Sequence, residues 1–272
     1  MREISSSENR IIKQAASLSE KKYRDSLGLY LIEGPNFIRD ALKYGGGLRF
    51  IFMKAGASSK ELGEIEALAE KNGPAVTILS GSAFEKICST QTSQGVVAVA
   101  EKRICTEDEF FGKKDACILV LDRVQDPGNL GTMLRSAEAF GFGGVLLMKG
   151  CADIYGPKLV RAAAGSLFRM PVYFADSPQE ATELLKKHGK KLYATVMRGG
   201  TPCYSADLSK NAAVVIGNEG TGVCKEFIEA SEGLTIPMTG DMESLNAGLA
   251  GGIIMYEAFR QKKCSEVQPE EV

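Results

Sequence analysis

From residue 116 onward the apolar positions fall in short unbroken runs, at 117–121, 145–148, 192–196, 213–216 and 234–236, each followed closely by glycine, proline or polar residues. Runs without alternation fit strands covered on both faces. Such strands, separated by helix-length stretches, make a mostly parallel sheet of the α/β class. The intervening pattern predicts helices over about 129–140, 156–164, 178–188, 224–230 and 244–262. The last carries Leu245, Leu249, Ile253, Ile254, Tyr256 and Phe259 on more than one face. That apolarity predicts burial against the sheet and against a partner subunit.

The first hundred residues have a different rhythm. Helical stretches over about 8–20, 35–44, 59–72 and 81–87 alternate with extended segments at 30–34, 48–53, 76–79 and 95–100. This is a small α/β unit, in which Pro35 suits a first helical turn. A charged, weakly patterned stretch at 101–114 separates the two rhythms. The expected domains are 1–105 and 116–263, with a linker at 106–115 and a flexible acidic tail at 264–272.

Composition narrows the class. The 272 residues can fill two hydrophobic cores. No run approaches the roughly 20 apolar residues of a membrane span, and Met1-Arg2-Glu3-Ile4-Ser5-Ser6-Ser7 lacks the apolar core of a secretion signal. A cytoplasmic protein without membrane contact is expected. The cysteines, at 88, 105, 117, 151, 203, 224 and 264, include no Cys-x-x-Cys pair, and His188 is the single histidine. No metal site or disulfide framework is therefore expected, and most of the cysteines read as small buried hydrophobes. One histidine also supports no Ser-His-Asp or Cys-His grouping, which argues against a hydrolase. The net charge of −1 argues against a uniformly basic nucleic-acid binder. Its distribution is mildly uneven, with 15 basic against 12 acidic residues in 1–105 and 18 against 22 in the remainder. Clusters such as Lys21-Lys22-Tyr23-Arg24 can meet phosphates or simply form a solvated helix face.

Three segments carry candidate chemistry, each joining an apolar run to a polar or glycine-bearing turn where open α/β sheets hold their ligands. In Asp126-Pro127-Gly128-Asn129-Leu130-Gly131-Thr132, the glycines permit a tight strand-to-helix turn, and Arg135 follows within two helical turns. Its guanidinium can return toward the strand ends as a fixed cation, or remain a solvated surface group. Gly217-Asn218-Glu219-Gly220-Thr221-Gly222 resembles a phosphate loop but lacks the Walker lysine and is not G-x-G-x-x-G. Glu219 there can cap the helix beginning near Cys224, or orient Arg135 or a substrate. The third segment is Ile236-Pro237-Met238 followed by Glu243-Ser244-Leu245-Asn246. By themselves Ser244 reads as a helix N-cap and Asn246 as a first-turn polar residue.

Together, and in this order, the three segments resemble the motifs of the SpoU (TrmH) family of SPOUT RNA ribose methyltransferases. Asn129, Gly131, Arg135 and Ala137 match the first motif, N-x-G-x-x-x-R-x-A. The resemblance extends toward the amino terminus, where Ile4-Ser5-Ser6, Asn9, Tyr23-Arg24 and Leu31-Ile32-Glu33-Gly34 are similar to an L30e-like RNA substrate-binding domain. The stretch from Arg161 to Phe168 resembles the family's R-x-S-x-G-A-x-F, differing at Ala163 and Ser166. The resemblance implies S-adenosyl-L-methionine as cofactor, held by Ile216, Gly217, Asn218, Gly220, Ile236, Met238, Leu245 and Asn246. It implies catalytic roles for Arg135, Asn129, Glu219, Ser244 and Asn246. It also implies a deep trefoil knot formed by roughly residues 213–255, although chain-threading rules would reject one, and a homodimer built through the knot.

Only RNA offers a 2′-hydroxyl, so the implied reaction is methyl transfer to a ribose, with large-subunit (23S) rRNA favoured over tRNA. Arg135 would stabilise the oxyanion, with Glu219 a second candidate for taking the proton. Two other functions stay open on the residues alone. A catalytically idle RNA-binding or ribosome-assembly protein would bind RNA without S-adenosylmethionine, and a nucleotide-dependent enzyme would use the 217–222 loop for phosphates.

Overall fold

Strand pairing divides the chain between two sheets and two compact units. The structure, a computed structural model, describes residues 2–90, 92–239 and 244–266. Glu243 of the third motif, part of the expected knot and the end of the acidic tail lie outside the described residues.

The first unit contains β1 (Arg2–Ile4), α1 (Arg10–Ser17), α2 (Lys21–Leu27), β2 (Leu29–Glu33), α3 (Pro35–Tyr44), β3 (Leu48–Lys54), α4 (Lys60–Asn72), β4 (Val76–Leu79), α5 (Gly81–Glu85) and β5 (Val96–Glu101). Its sheet has the order β1-β4-β3-β5-β2, with β5 antiparallel to both neighbours and the other pairs parallel. Side chains of Asn9, Ser59 and Ser80 accept from backbone N–H groups at the starts of α1, α4 and α5, which satisfies donors that a helix start leaves open. Ile12, Leu18, Phe52, Phe84 and Val97 fill the core on one side of this sheet. The helix expected over 8–20 is α1, and α2 follows it as a further, polar helix whose Arg24 is buried at 5% exposure rather than solvated. The guanidinium donates to Asp153 Oδ2 at 2.7 and 3.0 Å and to the carbonyls of Leu18 and Ser19 at 2.7 Å.

The chain leaves this unit after Arg103 to form α6 (Glu107–Phe110), β6 (Ile118–Leu121), α7 (Pro127–Ala139) and β7 (Gly144–Met148). It then returns with Asp153–Arg169, which holds α8 (Pro157–Ala162) and a 3-10 turn at Ser166–Phe168. This segment falls inside the expected domain 116–263, yet its contacts belong to the first unit. Besides the ion pair to Arg24, the Tyr155 ring lies 4.8 Å from that of Tyr30, its hydroxyl donates to Arg103 O, and Arg169 pairs with Asp40.

The second unit continues with β8 (Val172–Ala175), α9 (Pro178–Lys187), β9 (Lys191–Thr195), β10 (Thr201–Pro202), β11 (Ala212–Ile216), α10 (Lys225–Ala230), β12 (Glu232–Thr235) and α11 (Ala247–Glu266). All neighbours in its sheet, β10-β12-β9-β11-β6-β7-β8, run parallel. Strands β8 and β10 were not anticipated. Part of the expected linker is α6, whose Phe110 packs with Ile118, Leu146, Leu192 and Phe227 in the core. Helix α11 begins at Ala247 rather than 244 and runs to Glu266, so residues 264–266 of the expected tail are helical. All seven cysteines are free, but burial holds for Cys105, Cys117 and Cys203 alone; Cys88, Cys151 and Cys224 are half-buried and Cys264 is exposed. Among the described residues no helix is long and apolar enough to cross a membrane.

Candidate active site

Strands β6 and β11 are parallel neighbours, with Leu121 opposite Ile216, so the turns after them leave the sheet side by side at its carboxyl end. After β6, Asp126 accepts from Asn129 N at 2.8 Å and caps α7, with Pro127 in the first helical turn. That cap fixes Asn129 in the opening turn of α7. Asn129 Nδ2 donates to Glu219 Oε1 at 3.0 Å, and the Glu219 carboxylate also accepts from the backbone N–H groups of Gln125 and Asp126, both at 3.2 Å. From the other side Asn246 Nδ2 donates to Asn129 Oδ1 at 2.8 Å, while Asn246 Oδ1 accepts from Leu249 N at 3.1 Å. One continuous chain of hydrogen bonds thus ties together all three motifs.

Glycines make this closeness possible. A Cβ on Gly248 would lie 3.2 Å from Asn129 Oδ1, and one on Gly251 would lie 2.9 Å from Met133 Sδ, so the start of α11 rests directly on α7. In the second motif a Cβ on Gly217 would sit 2.1 Å from Val223 N. The turn closes there on itself, through Asn218 N to Gly222 O at 3.1 Å and Gly222 N to Asn218 O at 2.9 Å. The Asn218 side chain braces this turn, accepting from Gly220 N and Thr221 N and donating to Arg123 O. What the turn offers a ligand is therefore its backbone rather than the Asn218 amide. Ile216 is buried, and Ile236, Met238 and Leu245 are half-buried.

The side chains of Arg135 and Ser244 are exposed and make no hydrogen bond among the described residues. Arg135 lies six residues after Asn129, about 240° around the helix, off the Asn129–Met133 stripe that meets α11. Glu219 accordingly orients Asn129 rather than Arg135. Nor does it cap α10, whose first turn is held by Asp122 accepting from Cys224 N at 2.7 Å. Asn246 rather than Ser244 makes the side-chain cap at the start of α11. Sequence reasoning missed Asp122 and Arg123. Nothing marks Arg123 except its φ of +56°, a left-handed conformation that no glycine, asparagine or aspartate advertises.

The electrostatics favour a particular ligand. Partial burial pushes the Glu219 carboxyl pKa up, but the hydrogen bonds from Asn129 and from backbone N–H groups outweigh it and hold the carboxyl below the ordinary glutamate value. Residues 216–222 contain no lysine or arginine, and the nearby Arg123 is already neutralised by Asp122. A polyphosphate held by this turn would meet the ionised Glu219 carboxylate with no lysine or arginine of the turn itself to balance it. A neutral adenosyl group carrying a positive sulfonium, set between backbone and half-buried apolar side chains, suits this donor set.

The SpoU rRNA methylase family matches residues 116–256, and an MRM3-like substrate binding domain matches residues 9–98. The chain is 35% identical over 260 residues to the 23S rRNA (guanosine(2553)-2′-O)-methyltransferase RlmP of Bacillus subtilis, covering 94% of this chain and 98% of the relative. It is 35% identical over 222 residues to the 23S rRNA (guanosine-2′-O-)-methyltransferase RlmB of Xanthomonas campestris, covering 79% and 89%. Among solved structures, the AdoMet-bound rRNA methyltransferase from Sinorhizobium meliloti superposes with a TM-score of 0.85 at 29% identity, covering 95% of this chain and 97% of that one. A family match over more than half of the length, falling on the motifs that meet in one hydrogen-bonded chain, establishes that this protein belongs to the SpoU rRNA methylase family.

Proposed function

We propose that the protein transfers a methyl group from S-adenosylmethionine to a ribose 2′-hydroxyl of RNA, with 23S rRNA as its substrate. The observation that carries this reading is the Asn246–Asn129–Glu219 chain, which brings three distant motifs to one end of a parallel sheet. The 23S rRNA specificity of both named relatives supports the choice of substrate. The amino-terminal unit, matched to a substrate binding domain, would hold the RNA. Free cysteines throughout fit a reducing cytoplasm.

S-adenosylmethionine supplies an electrophilic methyl group when bound. The backbone of residues 217–222 would hold it, with Ile216, Ile236, Met238 and Leu245 flanking the adenine. A ribose hydroxyl is a poor nucleophile at neutral pH, so its oxygen must be positioned and its growing negative charge stabilised. Arg135 suits that task. Its side chain is a guanidinium cation with no hydrogen-bond partner among the described residues, and the hydroxyl proton passes to solvent. Glu219 makes a poor base, because its carboxylate already accepts three hydrogen bonds. It acts by orienting Asn129, which with Ser244 and Asn246 would position the ribose.

Leu249 and Tyr256 of α11 are each 54% exposed, which supports a homodimer in which a second copy covers this face. The close seat of α11 on α7, beyond the self-closing turn at 217–222, supports the trefoil knot. The test is incorporation of labelled methyl from S-adenosylmethionine into unmodified rRNA and tRNA separately, followed by nucleoside analysis. A 2′-O-methylated nucleoside from 23S rRNA is expected. Label in tRNA alone would overturn the substrate, and RNA binding without transfer to any rRNA, free or in assembling particles, would overturn the activity.

A further inference from the structure

Two residues just ahead of the first motif segment, and outside all three segments, hold the 217–223 turn from the neighbouring strand. Directly after β6, Asp122 N donates to Ile216 O at 2.9 Å, which extends the pairing of β6 with β11 by one bond. The Asp122 carboxylate, 2% exposed, accepts from Cys224 N at 2.7 Å beyond the far end of the turn. It also accepts from Arg123 Nε at 2.8 Å and Nη2 at 3.0 Å. Arg123 in turn accepts the Asn218 amide at its carbonyl, 2.9 Å away, and reaches Gly222 O with Nη2 at 3.5 Å. These contacts grip the turn at residues 216, 218, 222 and 224.

The backbone here is disfavoured for arginine, since φ at Arg123 is +56°. Gly150 leaves room for its stem, as a Cβ there would lie 3.1 Å from Arg123 Cγ. An unfavourable backbone persists where the surroundings hold it, and such outliers cluster at ligand clamps. We propose that Asp122 and Arg123 are positioning residues that keep the 217–223 turn in its ligand-binding form, an inference that rests on the reading of that turn as the seat of S-adenosylmethionine. Neither touches the reacting atoms, and with its charge paired to Asp122 the guanidinium of Arg123 is a brace.

The test measures S-adenosylmethionine binding to the full chain by calorimetry for wild type, Arg123→Gly, Arg123→Lys and Asp122→Asn. Thermal melting and amide exchange without ligand, and steady-state kinetics, accompany it. Arg123→Gly deletes the brace while relieving the left-handed backbone, which offsets part of the cost of leaving the buried Asp122 carboxylate with the Cys224 N–H alone. Its ligand-free melting temperature should therefore fall by no more than a few degrees, and binding is compared on folded protein. If loss of the brace leaves about a tenth of the molecules in the binding form, the apparent Kd and the KM for S-adenosylmethionine rise about tenfold. At saturation kcat should stay within about twofold, and Arg123→Lys should fall between the two. Exchange at the Gly222 and Cys224 amides should quicken in the absence of ligand. Arg123→Gly binding S-adenosylmethionine as tightly as wild type, with unchanged exchange, overturns the proposal whatever Asp122→Asn does. A wild type that binds no S-adenosylmethionine overturns the reading beneath it as well, and the wild-type isotherm alone tells the two failures apart.

Discussion

Two arginines show how differently the two units use the same side chain. In the first unit Arg24 is buried, and its donors are taken by Asp153 and the carbonyls of Leu18 and Ser19. In the second unit Arg135 is exposed on α7 and has no hydrogen-bond partner among the described residues. A guanidinium satisfied from every side holds a fold together, because removing it from water demands fixed partners. One exposed on a helix surface, as Arg135 is, stays available to a substrate. The same contrast divides the proposed active site, where Asn129, Glu219 and Asn246 are fixed by one another while Arg135 and Ser244 are not.

The largest effect on stability should come from breaking the satisfied arginine. Asp153→Asn leaves Arg24 without its counter-charge, and loss of one partner of a buried pair costs about 3–5 kcal/mol. Denaturant unfolding should show a loss near the low end, since two carbonyls still hold the guanidinium. A loss under about 1 kcal/mol, the range of surface pairs, would erase the contrast. Arg135→Ala should do the reverse, lowering kcat by about 10²–10³, as removal of an oxyanion donor does. Its stability should stay within about 0.5 kcal/mol of wild type. Near-normal turnover would remove Arg135 from the mechanism.

Smaller changes sharpen the division within the site. Gly217→Ala forces a Cβ to 2.1 Å from Val223 N. It should cost about 1–3 kcal/mol, as overpacking does, and should weaken S-adenosylmethionine binding in calorimetry. Asn246→Ala removes both the α11 cap and the link to Asn129, for about 1 kcal/mol read as a lowered melting temperature. The smallest effect is pH dependence. Because the Glu219 carboxyl is held below its ordinary value, its contribution is present above the unfolded value of about 4.3 and is lost as the pH falls through the folded value. Glu219→Gln should flatten the fall in melting temperature over that acid range, and an unchanged acid profile would show that the network adds nothing there.

The sequence made legible what depends on local pattern. Unbroken apolar runs marked β6, β7, β9 and β11, and the three motifs named Asn129, Glu219 and Asn246, which the fold joins by hydrogen bonds. Short or edge elements stayed hidden. Strand β8, Val172-Tyr173-Phe174-Ala175, carries a short apolar run that sequence reasoning passed over, and it lies at the sheet edge with Phe174 54% exposed. Strand β1 forms through pairing with β4 more than seventy residues away. Helix α2 shows no apolar stripe, and its buried residue is the charged Arg24. Within the site, Asp122 and Arg123 act through a backbone angle and contacts about a hundred residues distant. No spacing rule encodes such contacts.

The return of Asp153–Arg169 to the first unit also orders events in time during synthesis. When Arg103 has been added, Arg24 still lacks Asp153 and Tyr30 lacks Tyr155. At about 5–20 residues per second, the 66 residues between Arg103 and Arg169 take roughly 3–13 s to follow. Through that interval the nascent first unit carries an unneutralised cation destined for burial, so it matures only after two strands of the second unit have left the ribosome.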